Sequence, residues 1–185
     1  MVPEASLEST DSGLVPKDGG WFVLNARDAP WYHTDGRTAV TVFESEEGDG
    51  EFKQLGINVS VMNPGEIMAM YHWEADQEDF LVLSGEALLI IEGEERPLRQ
   101  WDFVHCPPEA KHTIVGAGSG PCVVLAVGAR DKSFGGKPGW GGYTVEPAAA
   151  KHGASVNEDT TEPKEAYAGL TRRDRVKYRD GWLPS

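Results

Sequence analysis

Between residues 21 and 130 the apolar side chains fall in short runs broken by Gly, Pro and Asp, and nowhere do they recur at a helical period. The runs cover residues 21–24, 38–43, 54–62, 66–73, 80–83, 87–91, 101–105, 113–115 and 122–127. They have the length of β-strands and are rich in branched and aromatic residues. Turn chemistry separates them. Asn63-Pro64-Gly65 closes one strand, and Ile91-Glu92-Gly93-Glu94-Glu95 joins an apolar strand to the Arg96-Pro97-Leu98 segment. Many short strands at this spacing predict an antiparallel sandwich or barrel. Several are apolar on both faces, as in Gly65-Glu66-Ile67-Met68-Ala69-Met70, which implies that the outer face is covered by a second sheet layer or a partner subunit.

The flanks read differently. Residues 1–20 are rich in Ser, Glu, Asp, Gly and Pro without periodic apolar positions, and are expected to form a loose N-terminal arm ahead of a barrel at 21–130. Residues 131–185 form a tail. It opens with a glycine-rich stretch carrying aromatics, Lys132-Ser133-Phe134-Gly135-Gly136-Lys137-Pro138-Gly139-Trp140-Gly141-Gly142-Tyr143, expected over the barrel mouth. A short helix is expected near 162–170, and a basic patch follows at 172–179, expected to pair with the protein's own acidic surface or a neighbouring subunit's.

Composition narrows the function. At 185 residues the chain supports one well-packed domain with appended termini. A formal net charge of −13 argues against a nucleic-acid partner, because phosphate backbones are bound by Lys and Arg that displace counterions. Two cysteines, Cys106 and Cys122, make neither a CxxC pair nor a disulfide scaffold, which fits a reducing interior. The first residues lack the basic and apolar regions of a signal peptide, and no run approaches a membrane span, so the expected location is the cytoplasm.

The chemistry concentrates in Tyr71-His72-Trp73-Glu74-Ala75-Asp76-Gln77-Glu78 and in His112, which ends His105-Cys106-Pro107-Pro108-Glu109-Ala110-Lys111-His112. On an extended strand His72 and Glu74 look the same way, and a short turn brings Glu78 back beside them. Carboxylates gathered inside an apolar barrel repel one another and lose hydration, a cost that a divalent cation removes. Met68 and Met70 share the strand parity of His72 and, with Phe80, are candidate pocket residues. Tyr71 has the opposite parity and is not assigned a role as acid. Cys106 reads as a small buried filler.

These residues resemble the cupins, whose first motif is Gly-x5-His-x-His-x3,4-Glu-x6-Gly and whose second is Gly-x5-Pro-x-Gly-x2-His-x3-Asn. Gly65, His72, Glu74, Glu78 and Gly85 match the first motif, with one extra residue after Gly65 and Glu74 in place of the second His. In the second motif Pro107 and His112 hold their places, and Asp102 fits the acidic residue after the first Gly. Trp101 and Glu109 stand where glycines are usual, and Gly116 where Asn often does. The resemblance covers roughly residues 38–130. It implies an all-β jelly-roll barrel, a double-stranded β-helix with extended N- and C-terminal segments, and often a homodimer. It also implies one divalent metal held by His72, Glu74, Glu78 and His112.

Glu74 hardens such a site and leaves manganese, iron, zinc and nickel as candidates. In the alternative arrangement Glu74 accepts from an imidazole, and His72, Glu78 and His112 form a triad. Either Glu74 or Glu78 is the candidate catalytic base. An open coordination position flanked by Met and aromatic side chains suits a small oxygen-donor molecule. The expected activity is that of an oxygenase or of an isomerase or lyase; the alternative is a non-catalytic module that binds a small, sugar-like ligand.

Overall fold

The alternation along Cys122–Ala129 decides how the molecule is layered. Cys122, Val124 and Ala126 point to one face, Val123 and Leu125 to the other, and both faces are buried. A computed structural model describes residues 1–45, 48–130 and 140–184. In chain order its strands are β1 (Leu7–Thr10), β2 (Gly13–Pro16), β3 (Trp31–His33), β4 (Ala39–Val42), β5 (Leu55–Met62), β6 (His72–Glu74), β7 (Glu78–Ser84), β8 (Glu86–Ile91), β9 (Glu94–Arg99), β10 (Phe103–Cys106), β11 (His112–Ala117), β12 (Cys122–Ala129), β13 (Gly141–Tyr143) and β14 (Asp174–Val176). Two one-turn helices, α1 (Pro147–Ala150) and α2 (Pro163–Ala166), lie in the tail.

Two antiparallel sheets face each other, one ordered β10-β7-β12-β5-β4-β3-β14 and the other β13-β6-β11-β8-β9. The fold is all-β, and its two facing antiparallel sheets form the jelly-roll, double-stranded β-helix barrel that was expected. Between the sheets sits an apolar core that includes Met62, Phe80, Val82, Leu89, Ile114 and Val124. β8 and β9 are joined by a two-residue turn with Glu92 at φ 49° and Gly93 at φ 78°, the twist that suits a tight hairpin. Trp101 (φ 75°) and Glu109 (φ 72°) also adopt the left-handed conformation. They occupy the two positions where the cupin motif carries glycine, so the backbone keeps the turn while a side chain bears its strain.

The outer faces are covered by the chain itself. On the larger sheet Trp31, Val59, Val61 and Val123 are buried under Tyr178, Trp182 and Leu183 from the tail. On the smaller sheet Tyr71, Ile90 and Val115 pack against Ala148, Ala149 and Ala154. Ile67 packs against both this cluster and the one formed by Met70, Tyr143, Val156 and Ala166. Much of the outer apolar surface is thus covered by the chain's own tail, while Phe103 and Leu55 on the larger sheet stay exposed.

Three expectations are corrected. Residues 1–20 are not a loose arm: β1 and β2 form a hairpin, with Thr10 Oγ1 donating to Gly13 O at 2.7 Å inside its turn. Its pairing comes from the backbone, and its exposed positions leave no apolar period to read. Residues 66–73 are not one strand, since only His72–Glu74 is laddered and Ile67 makes an isolated bridge to Val115. Around it, backbone donors find other partners: Met70 N–H reaches Tyr167 Oη and Tyr71 N–H reaches Ala154 O. The helix expected over 162–170 is the single turn α2, and part of the basic patch is β14, which adds to the larger sheet beside β3.

Candidate metal centre

β6, β7 and β11 bring the candidate ligands together because each points its first residue into the barrel. His112 pairs with His72 across the β11–β6 ladder, and Glu78 opens β7 on the facing sheet. His72, Glu78 and His112 each offer one ligand atom, all within 4.8 Å of one another. Glu78 Oε2 lies 3.1 Å from His112 Nε2 and 3.7 Å from His72 Nε2. The imidazole rings are 4.8 Å apart and both histidines are buried.

Both rings are oriented from behind. His72 Nδ1 donates to Met70 O at 2.8 Å and His112 Nδ1 to Ala110 O at 3.0 Å. With Nδ1 donating to a carbonyl, the proton that Nε2 shares with Glu78 is the one a metal ion would displace, leaving the tautomer a metal ligand needs. Two donors about 2.1 Å from a shared ion and at right angles to it are about 3 Å apart, the separation that Glu78 and His112 already have, and the wider spacing to His72 is within reach of side-chain rotation. Phe80 packs edge-on to His112 at 5.3 Å and completes the inner wall.

Glu74 stands outside this triad. Its Oε1 is 3.8 Å from His72 Nε2, and its side chain is more exposed than that of Glu78. Burial, and then the negative charge of Glu78, raise its pKa to about 7. Glu78 moves the other way. Burial alone would raise its pKa, but hydrogen bonds from His112 and His72 hold it well below the carboxylate range. Burial likewise opposes a charged His112, and Cys106 and Glu78 outweigh it to lift its pKa to about 10. The buried Cys106 thiol thus lies beside a candidate ligand rather than in remote core.

The cavity bounded by these groups has a volume of about 280 Å³. Of the expected pocket residues, Met68 and Phe80 line it, whereas Met70 is turned into the cluster around Tyr143, Val156 and Ala166. The bend between Ile67 and His72 breaks the parity that would have aligned Met70 with His72. Tyr71 is buried away from the cavity, its hydroxyl accepting from Gly93 N–H at 3.2 Å.

Four tail residues that the sequence pattern did not single out as site residues, Trp140, Tyr143, Tyr167 and Arg173, also line the cavity. β13 pairs with β6 so that Tyr143 opposes His72. Gly141 makes that approach possible, since a Cβ there would lie 1.9 Å from Trp73 O. Gly141 and Gly142 were the available signal, because adjacent glycines beside aromatics mark a close backbone approach. The stretch ahead of Trp140 that was expected over the mouth lies outside the described residues.

Residues 58–128 match the family model for the cupin domain. No curated protein matches the chain. Among solved structures, a protein from Acidithiobacillus ferrooxidans provisionally described as a sugar phosphate isomerase is 33% identical, over 42% of this chain and 51% of that one, with a TM-score of 0.40. This chain thus spans about half the length of that protein. The polyketide cyclase RemF from Streptomyces resistomycificus is 13% identical over 60% of this chain and 80% of its own, with a TM-score of 0.52, a likeness of fold. A sugar phosphate isomerase of the cupin superfamily from Silicibacter pomeroyi is 24% identical over 50% and 59%, with a TM-score of 0.43. The matched model makes residues 58–128 a cupin domain, and the paired antiparallel sheets are the fold that such a domain adopts.

Proposed function

We propose that this protein is a metal-dependent enzyme that moves a proton on a small oxygen-donor molecule, as an isomerase or lyase does. One divalent ion, manganese, iron, zinc or nickel, is held by His72, Glu78 and His112. An ion bound there would supply Lewis acidity toward a carbonyl oxygen of the substrate. The observation that carries the reading is the position of Glu74: a carboxylate beside the triad, 3.8 Å from His72 Nε2 and lining the same cavity. A group poised there both takes and returns a proton. Glu78, engaged by both imidazoles, is the ligand of the two carboxylates, and Glu74 the acid–base group. Trp140 and Tyr143 stand 6.1 Å from the His72 ring and keep water from that side.

Proton exchange tests this without the physiological substrate. Metal content is measured on the purified protein, which is then incubated in D2O with small hydroxyketones and oxo acids while NMR follows deuterium entering beside the carbonyl. Glu74→Gln is expected to keep the metal and lose exchange by about 10²–10⁴-fold. Exchange that survives this substitution at the wild-type rate overturns the assignment. A second reading, an oxygenase, is favoured by the two-histidine, one-carboxylate donor set. Oxygen uptake with catechols, 1,3-diketones or thiols, indifferent to Glu74→Gln, would select it.

A further inference from the structure

The cavity that holds the carboxylates and imidazoles also contains a cation without a counter-charge. Arg173 lines it, and its guanidinium donates through Nη2 to Met68 O at 3.2 Å. Its Nε is fully buried and has no hydrogen-bond partner among the described residues. Arg37 is its electrostatic neighbour and is held in the same way: Nη1 donates to Thr171 O at 2.8 Å, the guanidinium lies 6.0 Å from the Tyr167 ring centre, and its Nε is also buried and unpaired. Among the described residues no carboxylate lies within ion-pairing distance of either guanidinium. The carboxylate that acts on Arg173 is that of Glu66, weaker in its effect than the Tyr167 hydroxyl and already taken by Asn63 N–H and Nδ2.

This arrangement is unexpected in a chain with 30 acidic and 17 basic residues, where a partly buried arginine finds an acidic partner easily. Arg179, in the same basic patch, does pair with Asp35, and Arg130 pairs with Glu44. At Arg173 the opposite holds. Burial and the field of Arg37 both pull its pKa below the ordinary value, the mark of a cation in need of an anion. Holding the tail to the barrel explains the bonds to Met68 O and Thr171 O. It does not explain why Arg173 faces the cavity unpaired with a second unpaired charge, Arg37, behind it, since neutral donors would make the same bonds at less desolvation cost.

We propose that Arg173, with Arg37 behind it, is an oxyanion subsite: it takes the carboxylate or phosphate group of the molecule whose other oxygen faces His72, Glu78 and His112. A guanidinium recognises either group through paired N–H donors, and a planar fork fits both. Tyr167 and Tyr143 supply the wall between the two ends. The substrate class is therefore a small acid or phosphate ester bearing a second oxygen donor. That last clause rests on the proposed function above; the anion preference does not.

Calorimetric titration of the full chain, metal-free and metal-loaded, tests this with three probes: glycolate, inorganic phosphate and the neutral glycolamide. Wild type is expected to hold glycolate or phosphate at least about tenfold more tightly than glycolamide, and whichever is held identifies the group. Arg173→Met should remove that preference with metal content unchanged, and Arg173→Lys should restore part of it. Arg37→Met, outside the cavity lining, should weaken binding less and serves as the readout if Arg173→Met does not fold. His112→Ala should lose the metal and still bind the anion, which separates this subsite from the metal centre. Equal affinity for glycolate, phosphate and glycolamide in both metal states, or an Arg173→Met protein that folds and binds anions like wild type, overturns the proposal.

Discussion

The two ends of the barrel interior are built by the same strands and differ completely in character. β5 sends Met62 into the closed end and Asn58 and Ser60 into the cavity; β7 sends Val82 to one and Glu78 to the other; on β11 His112 enters the cavity, and Ile114 sits at the boundary, on the cavity wall and in the core at once. A step of two or four residues along a strand, roughly 7–14 Å, carries the side chain from dry core to reactive pocket without changing the face it occupies. Stability and chemistry are thus written in one alternation, and they can be damaged separately.

The sharpest way to break the comparison is His112→Ala, which leaves Glu78 without its closest partner. Elemental analysis should show metal content falling from about one equivalent to near none, while far-UV circular dichroism stays that of the wild type, because the closed end is untouched. The complementary change is Met62→Ala in the closed end. It should cost about 2–5 kcal/mol in urea unfolding and leave metal content per folded molecule unaltered. If Met62→Ala were to release metal, the two ends would not be independent.

Acidity sharpens the contrast further. The pKa of His112 is raised from 6.5 to about 10 in the metal-free protein, so its stabilising effect is complete below pH 6.5 and is lost as the pH climbs toward 10. Metal-free protein should therefore become less stable to urea over that interval, and His112→Ala should not. Metal affinity should run the other way and strengthen as the pH rises, because the ion displaces the proton shared with Glu78. Titration of the metal at pH 6 and pH 8 checks the sign. The smallest effect belongs to the turns. Trp101→Gly relieves a left-handed, exposed side chain, and the gain, about 0.5–1 kcal/mol after glycine's greater entropy loss, should appear as a higher thermal midpoint with no change at the metal centre.

Legibility in the sequence follows the range of the interactions. Strands β5, β8, β11 and β12 were legible because each carries a run of branched apolar residues bounded by turn residues. That His72, Glu78 and His112 come together was legible through the cupin motif, because parity within one strand relates only His72 to Glu74 and says nothing of His112 on another strand. Trp101 and Glu109 could be flagged as standing in for glycines, and both hold the backbone conformation that a glycine would. The three-residue strands β3, β13 and β14 carry too little pattern to detect, and each exists because a distant segment pairs with it. Met70 was misplaced because parity was extended through a bend. Arg173 was hidden in a basic patch whose other members serve the surface, and only its position on the cavity wall distinguishes it from Arg179.

The wall contributed by Trp140, Tyr143, Tyr167 and Arg173 comes from one uninterrupted length of chain, downstream of every donor atom. A replaceable faceplate follows: exchanging that length for a homologous one, with the Gly141 crossing kept against Trp73, would retune which molecules are admitted while the donor strands remain as they are. Selectivity and reactivity in this architecture are free to diverge by recombination of whole segments, with no need for coordinated point changes on both sides of the pocket.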